Sequence, residues 1–186
     1  MFSQIVTRMD AKVIRIDSIK QGMPGITPII GTFLHENMIA CMHKSNHETG
    51  VSMAIHGLCE DEFKLEWTGE CTEQMKRAYQ DELNLVENAA VCISAILSME
   101  LTDYTIVERS WRGTGIDYWL GYKDAPLFTR VARLEVSGIM QETSTNTLQT
   151  RVKKKIEQVE ISDETLLPAY ISVVEFGRPM SYFNKK

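Results

Sequence analysis

Two acidic residues in otherwise apolar segments carry the chemistry this chain can do. Asp117 lies just past a Gly-rich turn in "RGTGIDYWLGY", and Glu135 lies within "ARLEVSG". Both segments alternate as strands do, so a hairpin would bring the two carboxylates side by side. Paired hard oxygens are what a divalent cation such as Mg²⁺ takes, and without a cation or a proton their mutual repulsion is costly to bury. The structural alternative is plain: Asp117 caps the turn, and Glu135 pairs with Arg133, Arg109 or Arg112. By parity Asp117 shares a face with Trp119, and Glu135 shares one with Arg133 and Ser137; which face that is stays open.

Other reactive side chains are less ordered. His35, His43, His47 and His56, with Cys41 and Cys59, match no zinc-ligand spacing and read as exposed turn residues. A Cys41–His56 nucleophile pair has nothing local to activate it. "GTG" lacks both the P-loop lysine and the dinucleotide-binding pattern. The four cysteines show no CxxC and are expected to be reduced.

The elements that must position the pair follow from periodicity. Residues 1–70 read as an antiparallel β meander, with "AKVIRIDSI", "TPIIGTFLH", "NMIACMHK", "GVSMAIHGL" and "EFKLEW" as strands. Near residue 70 the period changes to that of a long helix, 72–101. Thr72 is its N-cap, and Glu82 sits on the apolar stripe of Tyr79, Val86, Ala90, Ile93 and Leu97. Strands at 104–110, 116–122 and 131–139 follow, then an amphipathic helix "TNTLQTRVKKKIEQVE", a buried strand at 168–176 and a tail, "GRPMSYFNKK". The expected fold is α+β, a β-rich part at 1–70 joined to an αβββαβ unit at 71–186 in one compact body.

In that order, with "GTGID" and "LEVSG", residues 72–176 resemble the restriction-endonuclease-like nuclease superfamily. The resemblance implies a metal-dependent nuclease hydrolysing phosphodiester bonds. Asp117 and Glu135 would be the ligands of Mg²⁺ or Mn²⁺, and Glu82 or Glu87 a further carboxylate. Ser137 stands where the family carries a lysine, whose charge orients water and offsets the charge developing at phosphorus. The next helix offers replacements: Lys153 is placed in that role, with Lys154 and Lys155 as neighbouring alternatives. The other reading is a catalytically degenerate core that binds a protein partner through Trp111, Trp119, Tyr118 and Tyr122.

Composition bounds both readings. A net charge of -5 disfavours a protein that coats nucleic acid, but it leaves room for a local footprint such as Arg151–Lys155. No continuous apolar run approaches the roughly 20 residues of a membrane helix. The N-terminus lacks a signal-peptide core, and a cytoplasmic address is expected.

Overall fold

The computed structural model describes residues 12–124 and 128–186. Its centre is an eight-stranded mixed sheet. The strands in chain order are β1 (Lys12–Arg15), β2 (Val51–Gly57), β3 (Asp61–Glu66), β4 (Tyr104–Arg109), β5 (Tyr118–Tyr122), β6 (Ala132–Ile139), β7 (Ala169–Glu175) and β8 (Met180–Lys185). Across the sheet they run β1-β3-β2-β8-β7-β6-β5-β4. The helices are α1 (Pro28–Lys44), α2 (Glu73–Ala78), α3 (Glu82–Leu101) and α4 (Leu148–Val159).

The N-terminal part departs from the expected meander. β2 and β3 do form an antiparallel hairpin, but "TPIIGTFLH" and "NMIACMHK" are one helix, α1, and β1 joins β3 in parallel. Thr27 caps α1 by accepting from the Ile30 amide, and Pro28 stands at a first-turn position where a missing N–H costs nothing. From Leu34 to Met42 the helix is buried among α3, the sheet and a 3-10 turn at Ile16–Gln21, while Ile29, Ile30 and Phe33 are apolar but exposed, so no clean 3.6 period shows. Gly31 is required there: a Cβ would lie 2.0 Å from the Ile19 carbonyl oxygen.

From residue 82 the order is helix, strand, strand, strand, helix, strand, as expected. β4, β5 and β6 pair antiparallel, while β6 and β7 are parallel and joined through α4. The long helix foreseen over 72–101 is two helices. Asp81 accepts from the Leu83 and Asn84 amides at 3.1 and 3.3 Å and starts α3 afresh, and the Tyr79 hydroxyl is held by Glu36 at 2.7 Å. Glu82 is therefore a first-turn residue, not part of a stripe running on from Tyr79. α3 has the length and apolar composition of a membrane span, a composition that its burial between α1 and the sheet also demands.

The segment read as a tail is β8, inserted between β7 and β2. Ser181 and Phe183 are fully buried there while Met180, Tyr182 and Asn184 are half-exposed, so the alternation is that of a strand with one covered face. β8 welds the two expected parts into one sheet. α1 and α3 cover one face over the main core, and α4 covers β6 and β7 on the other over a second, smaller core.

Candidate active site

Side-chain alternation settles which face the carboxylates share. Tyr118, Leu120, Leu134 and Val136 enter the core under α1 and α3, whereas Trp119 and Ile139 enter the core under α4. Arg133, Glu135 and Ser137 have the second parity, and their partners lie on α4 or just beyond it. Asp117 stands one step past the Tyr118–Leu134 pair, opposite Glu135. Its amide donates to the Leu134 carbonyl at 3.0 Å, and its Oδ2 accepts from the Val136 amide at 2.8 Å. That amide would otherwise continue the ladder, so the side chain ends β5 and lets β6 run on beside an open cleft.

The cleft holds about 560 Å³ between the start of α3, the far half of β6 and the inner flank of α4. Asp117, Arg109, Arg151 and Lys155 line one part of it, and Glu82 and Glu87 line the α3 side. Glu135 lies beneath, 1% exposed. Its Oε1 accepts from the Lys155 ammonium and, at 2.7 Å, from the Gln158 amide; Lys155 also donates to Gln158 Oε1 at 3.0 Å. Its Oε2 is buried without a hydrogen-bond partner among the described residues. Burial, followed by the neighbouring Asp117 carboxyl, pushes the Glu135 carboxyl up to about 8, and Lys155 offsets only part of this.

Helix periodicity explains the α4 contribution. Arg151, Lys155 and Gln158 recur at i, i+4 and i+7 and form a polar stripe beside the apolar stripe of Leu148, Val152 and Val159. Arg151 donates to Ser137 Oγ at 3.1 Å and is braced by Asn146 Oδ1 at 2.8 Å. The position expected to hold lysine on β6 is therefore met by a guanidinium from α4, and the ammonium reaches Glu135 itself. Lys155, not Lys153, is the lysine of this run that reaches Glu135. Lys153 is exposed on the outer flank of α4, lining a separate groove with Val152, Ile156 and Tyr182, because a two-residue step on a helix turns the side chain away.

The remaining expectations divide. Glu82 pairs with Lys44 at 3.1 Å on the α3 lip, and no group of three His, Cys, Asp or Glu ligands assembles among the described residues. α3 packs on the opposite face of the sheet from Glu135, which keeps its carboxylates at the rim. Arg133 does not pair with Glu135: it donates to the Leu167 and Val159 carbonyls, Ser162 and Asp163, clamping the end of α4. His35 is a buried α1 residue beside Asp17, not an exposed turn histidine, and burial holds its imidazole below the usual range. Cys41 is fully buried and its thiol is pushed up by burial, so it is no nucleophile; the four cysteines are free. Tyr118 and Trp119 are core, while Trp111 is 80% exposed. Gln158 is the site residue the sequence reading passed over, although its spacing from Arg151 and Lys155 was a usable signal.

Comparison of the chain with protein-family models, curated proteins and solved structures finds no match.

Proposed function

We propose that the protein is a metal-dependent nuclease-like hydrolase acting on phosphodiester bonds in nucleic acid, with Asp117, Glu135 and Lys155 at its centre. The observation that carries this reading is the buried Glu135 oxygen left without a donor beside a second carboxylate. Such a pair is stable only with a proton or a cation between its members, and it opens onto a cleft lined by Arg109 and Arg151. Asp117 and Glu135 are the residues that would hold Mg²⁺ or Mn²⁺, which when bound acidifies water and stabilises charge at phosphorus. Lys155 keeps positive charge at Glu135 and at the cleft surface, the task of the lysine absent at Ser137. Arg109 and Arg151 offer guanidinium groups to backbone phosphates.

The test is cleavage of a labelled oligonucleotide with and without Mn²⁺. Asp117→Asn keeps an oxygen for the Val136 amide and should fold normally while losing at least ~100-fold in cleavage; full activity in Asp117→Asn or Asp117→Ala would refute the proposal. Mn²⁺ should also raise the melting temperature of the wild type and not of the variant.

The second reading, a catalytically degenerate core that binds a protein partner, is favoured by one observation. Only two carboxylates converge, with no third ligand among the described residues. Co-purification of a partner together with no thermal response to divalent ions would establish it.

A further inference from the structure

The loop that ends on Asp117 is pinned at both ends and carries an aromatic side chain with nothing to pack on. The Ser110 amide donates to the Asp117 carbonyl at 2.7 Å, the Ser110 and Thr114 hydroxyls bond at 2.8 Å, and Thr114 donates to the Trp111 carbonyl at 2.8 Å. Gly115, at φ 78°, lies so close to α4 that a Cβ would come within 2.4 Å of the Gln158 carbonyl oxygen. The loop is thereby docked on the residue that also holds Glu135. From it Trp111 stands 80% exposed, whereas Trp67 and Trp119 are 7% and 8% exposed. A tryptophan so placed adds nothing to the core.

Arg109 and Arg112 flank Trp111, and neither has a carboxylate partner among the described residues. Arg109 lines the cleft, as does Arg151, whose side chain is bonded, among the described residues, to Asn146 and Ser137 alone. One side of the cleft carries Arg109, Arg151 and Lys155 around Asp117, and the other carries Glu87 and the Lys44-paired Glu82. A single phosphate backbone can follow the arginines at a distance from the α3 carboxylates, but a duplex would bring its second backbone towards them.

We infer that the Arg109–Arg112 loop is a binding site for single-stranded nucleic acid, with Trp111 stacking on a base and Arg109 and Arg112 holding the adjoining phosphates beside the Asp117–Glu135 pair. This rests on the nuclease-like reading for the identity of the ligand, and it adds the strandedness of the substrate. Stacking on an exposed aromatic tolerates any base, so the site selects for an unpaired strand, not for a sequence.

The experiment uses the whole chain in EDTA, so that binding is read without cleavage. A labelled oligo(dT) of about 15 nucleotides, within the span one small single-strand site covers, is compared with a duplex of equal length. The oligonucleotide should quench the emission of the exposed tryptophan and bind more tightly than the duplex. Trp111→Ala should weaken binding roughly 5- to 150-fold and Trp111→Phe far less. Arg112→Ala should lower the salt dependence by about 0.7 in the logarithmic slope, the value for one phosphate on a single strand. Unchanged binding in Trp111→Ala, or preference for the duplex, overturns the inference. Ile161, 62% exposed and packed beside Gly115, gives a control. If a partner protein's binding falls as much in Ile161→Asp as in Trp111→Ala, and ignores salt and Arg112→Ala, the loop is a protein-docking surface and the inference fails.

The two proposals fail separately. Trp111-dependent binding with no cleavage under any metal leaves the single-strand site standing and removes the nuclease. Metal-dependent cleavage indifferent to Trp111→Ala does the reverse.

Discussion

Glu135 and Glu175 lie on neighbouring parallel strands, β6 and β7, at 1% and 0% exposure, and by alternation both face the α4 side of the sheet. Their surroundings are opposite. Glu175 accepts from three backbone amides: Gly177 at 2.9 Å and Glu142 at 3.3 Å on Oε1, and Arg178 at 2.7 Å on Oε2. It is a complete clamp, tying the β7–β8 turn to the segment that leaves β6. Glu135 has donors on one oxygen, none on the other, and a carboxylate beside it. A buried carboxylate is costly whatever its role. What separates a structural acid from a site is whether the fold has already supplied its partners.

The largest effect expected from this contrast is on stability. Glu175→Ala leaves three backbone donors without their acceptor at the turn feeding β8, and should cost about 3 kcal/mol in chemical denaturation. Because β8 joins the two halves of the sheet, the loss should appear as one cooperative transition. A cost below ~1 kcal/mol would show that water replaces the clamp, and the contrast with Glu135 would lose its meaning.

Next comes Lys155→Met, read on cleavage. The substitution keeps the length of the side chain but removes the charge at Glu135 Oε1, leaving Gln158 as sole donor. Cleavage should fall roughly 100-fold, the scale of one electrostatic contact to a developing charge, with a small change in melting temperature. The Glu135 carboxyl should also hold its proton to still higher pH, because Lys155 is what draws it down. The metal response should then need a more alkaline buffer.

Glu135→Gln tests the acid in the absence of metal. A carboxyl raised from its ordinary range to about 8 by burial and then by Asp117 keeps its proton in the folded chain after the unfolded chain has lost it. Its contribution is fully present below about pH 4.5 and is lost as pH rises to about 8. The glutamine variant copies the protonated form and lacks this slope. It should be close to wild type at pH 5 and more stable at pH 8.5, by up to about 1.4 kcal/mol for each unit by which the carboxyl is raised. Parallel stability curves across that range would mean that Glu135 is ionised in the fold and already balanced, as Glu175 is by its amides.

How much of this contrast the sequence discloses depends on the range of the signal. The pairing of Asp117 with Glu135 was legible because both strands alternate and a short turn precedes the first, which are local patterns. The order from α3 to β7 was legible for the same reason. α1 was read as strands because its buried half is apolar on most sides and its exposed first turns carry Ile29, Ile30 and Phe33, which together erase the helical period. β8 looked like a tail because its parallel partner β2 lies far away in the chain, although Gly177 and Pro179 marked the turn that joins it to β7. Gln158 and the unpartnered Glu135 oxygen depend on how α4 is rotated on the sheet, a tertiary property. The stripe Arg151, Lys155, Gln158 records that rotation in the sequence, but it becomes decisive only once the face holding Glu135 is known.

The smallest expected effect separates two lysines on the same helix turn. Lys153 and Lys155 share charge, length and a basic run, and the sequence reading set Lys153 first with nothing local to separate them. The helix places them about 200° apart, so that Lys155 is half-buried against Glu135 and Lys153 is exposed on the outer flank with Val152, Ile156 and Tyr182. Lys153→Ala should leave cleavage within about twofold and stability within about 0.5 kcal/mol, as for most surface substitutions. If Lys153→Ala instead matched Lys155→Met, both lysines would be serving the general attraction of the basic helix for phosphate. High salt would then suppress both effects together, since it screens exposed charges beyond about 8–10 Å but not a buried contact at a carboxylate. A salt-resistant loss confined to Lys155 would place the missing lysine function on α4, one helical turn beyond the arginine that covers Ser137.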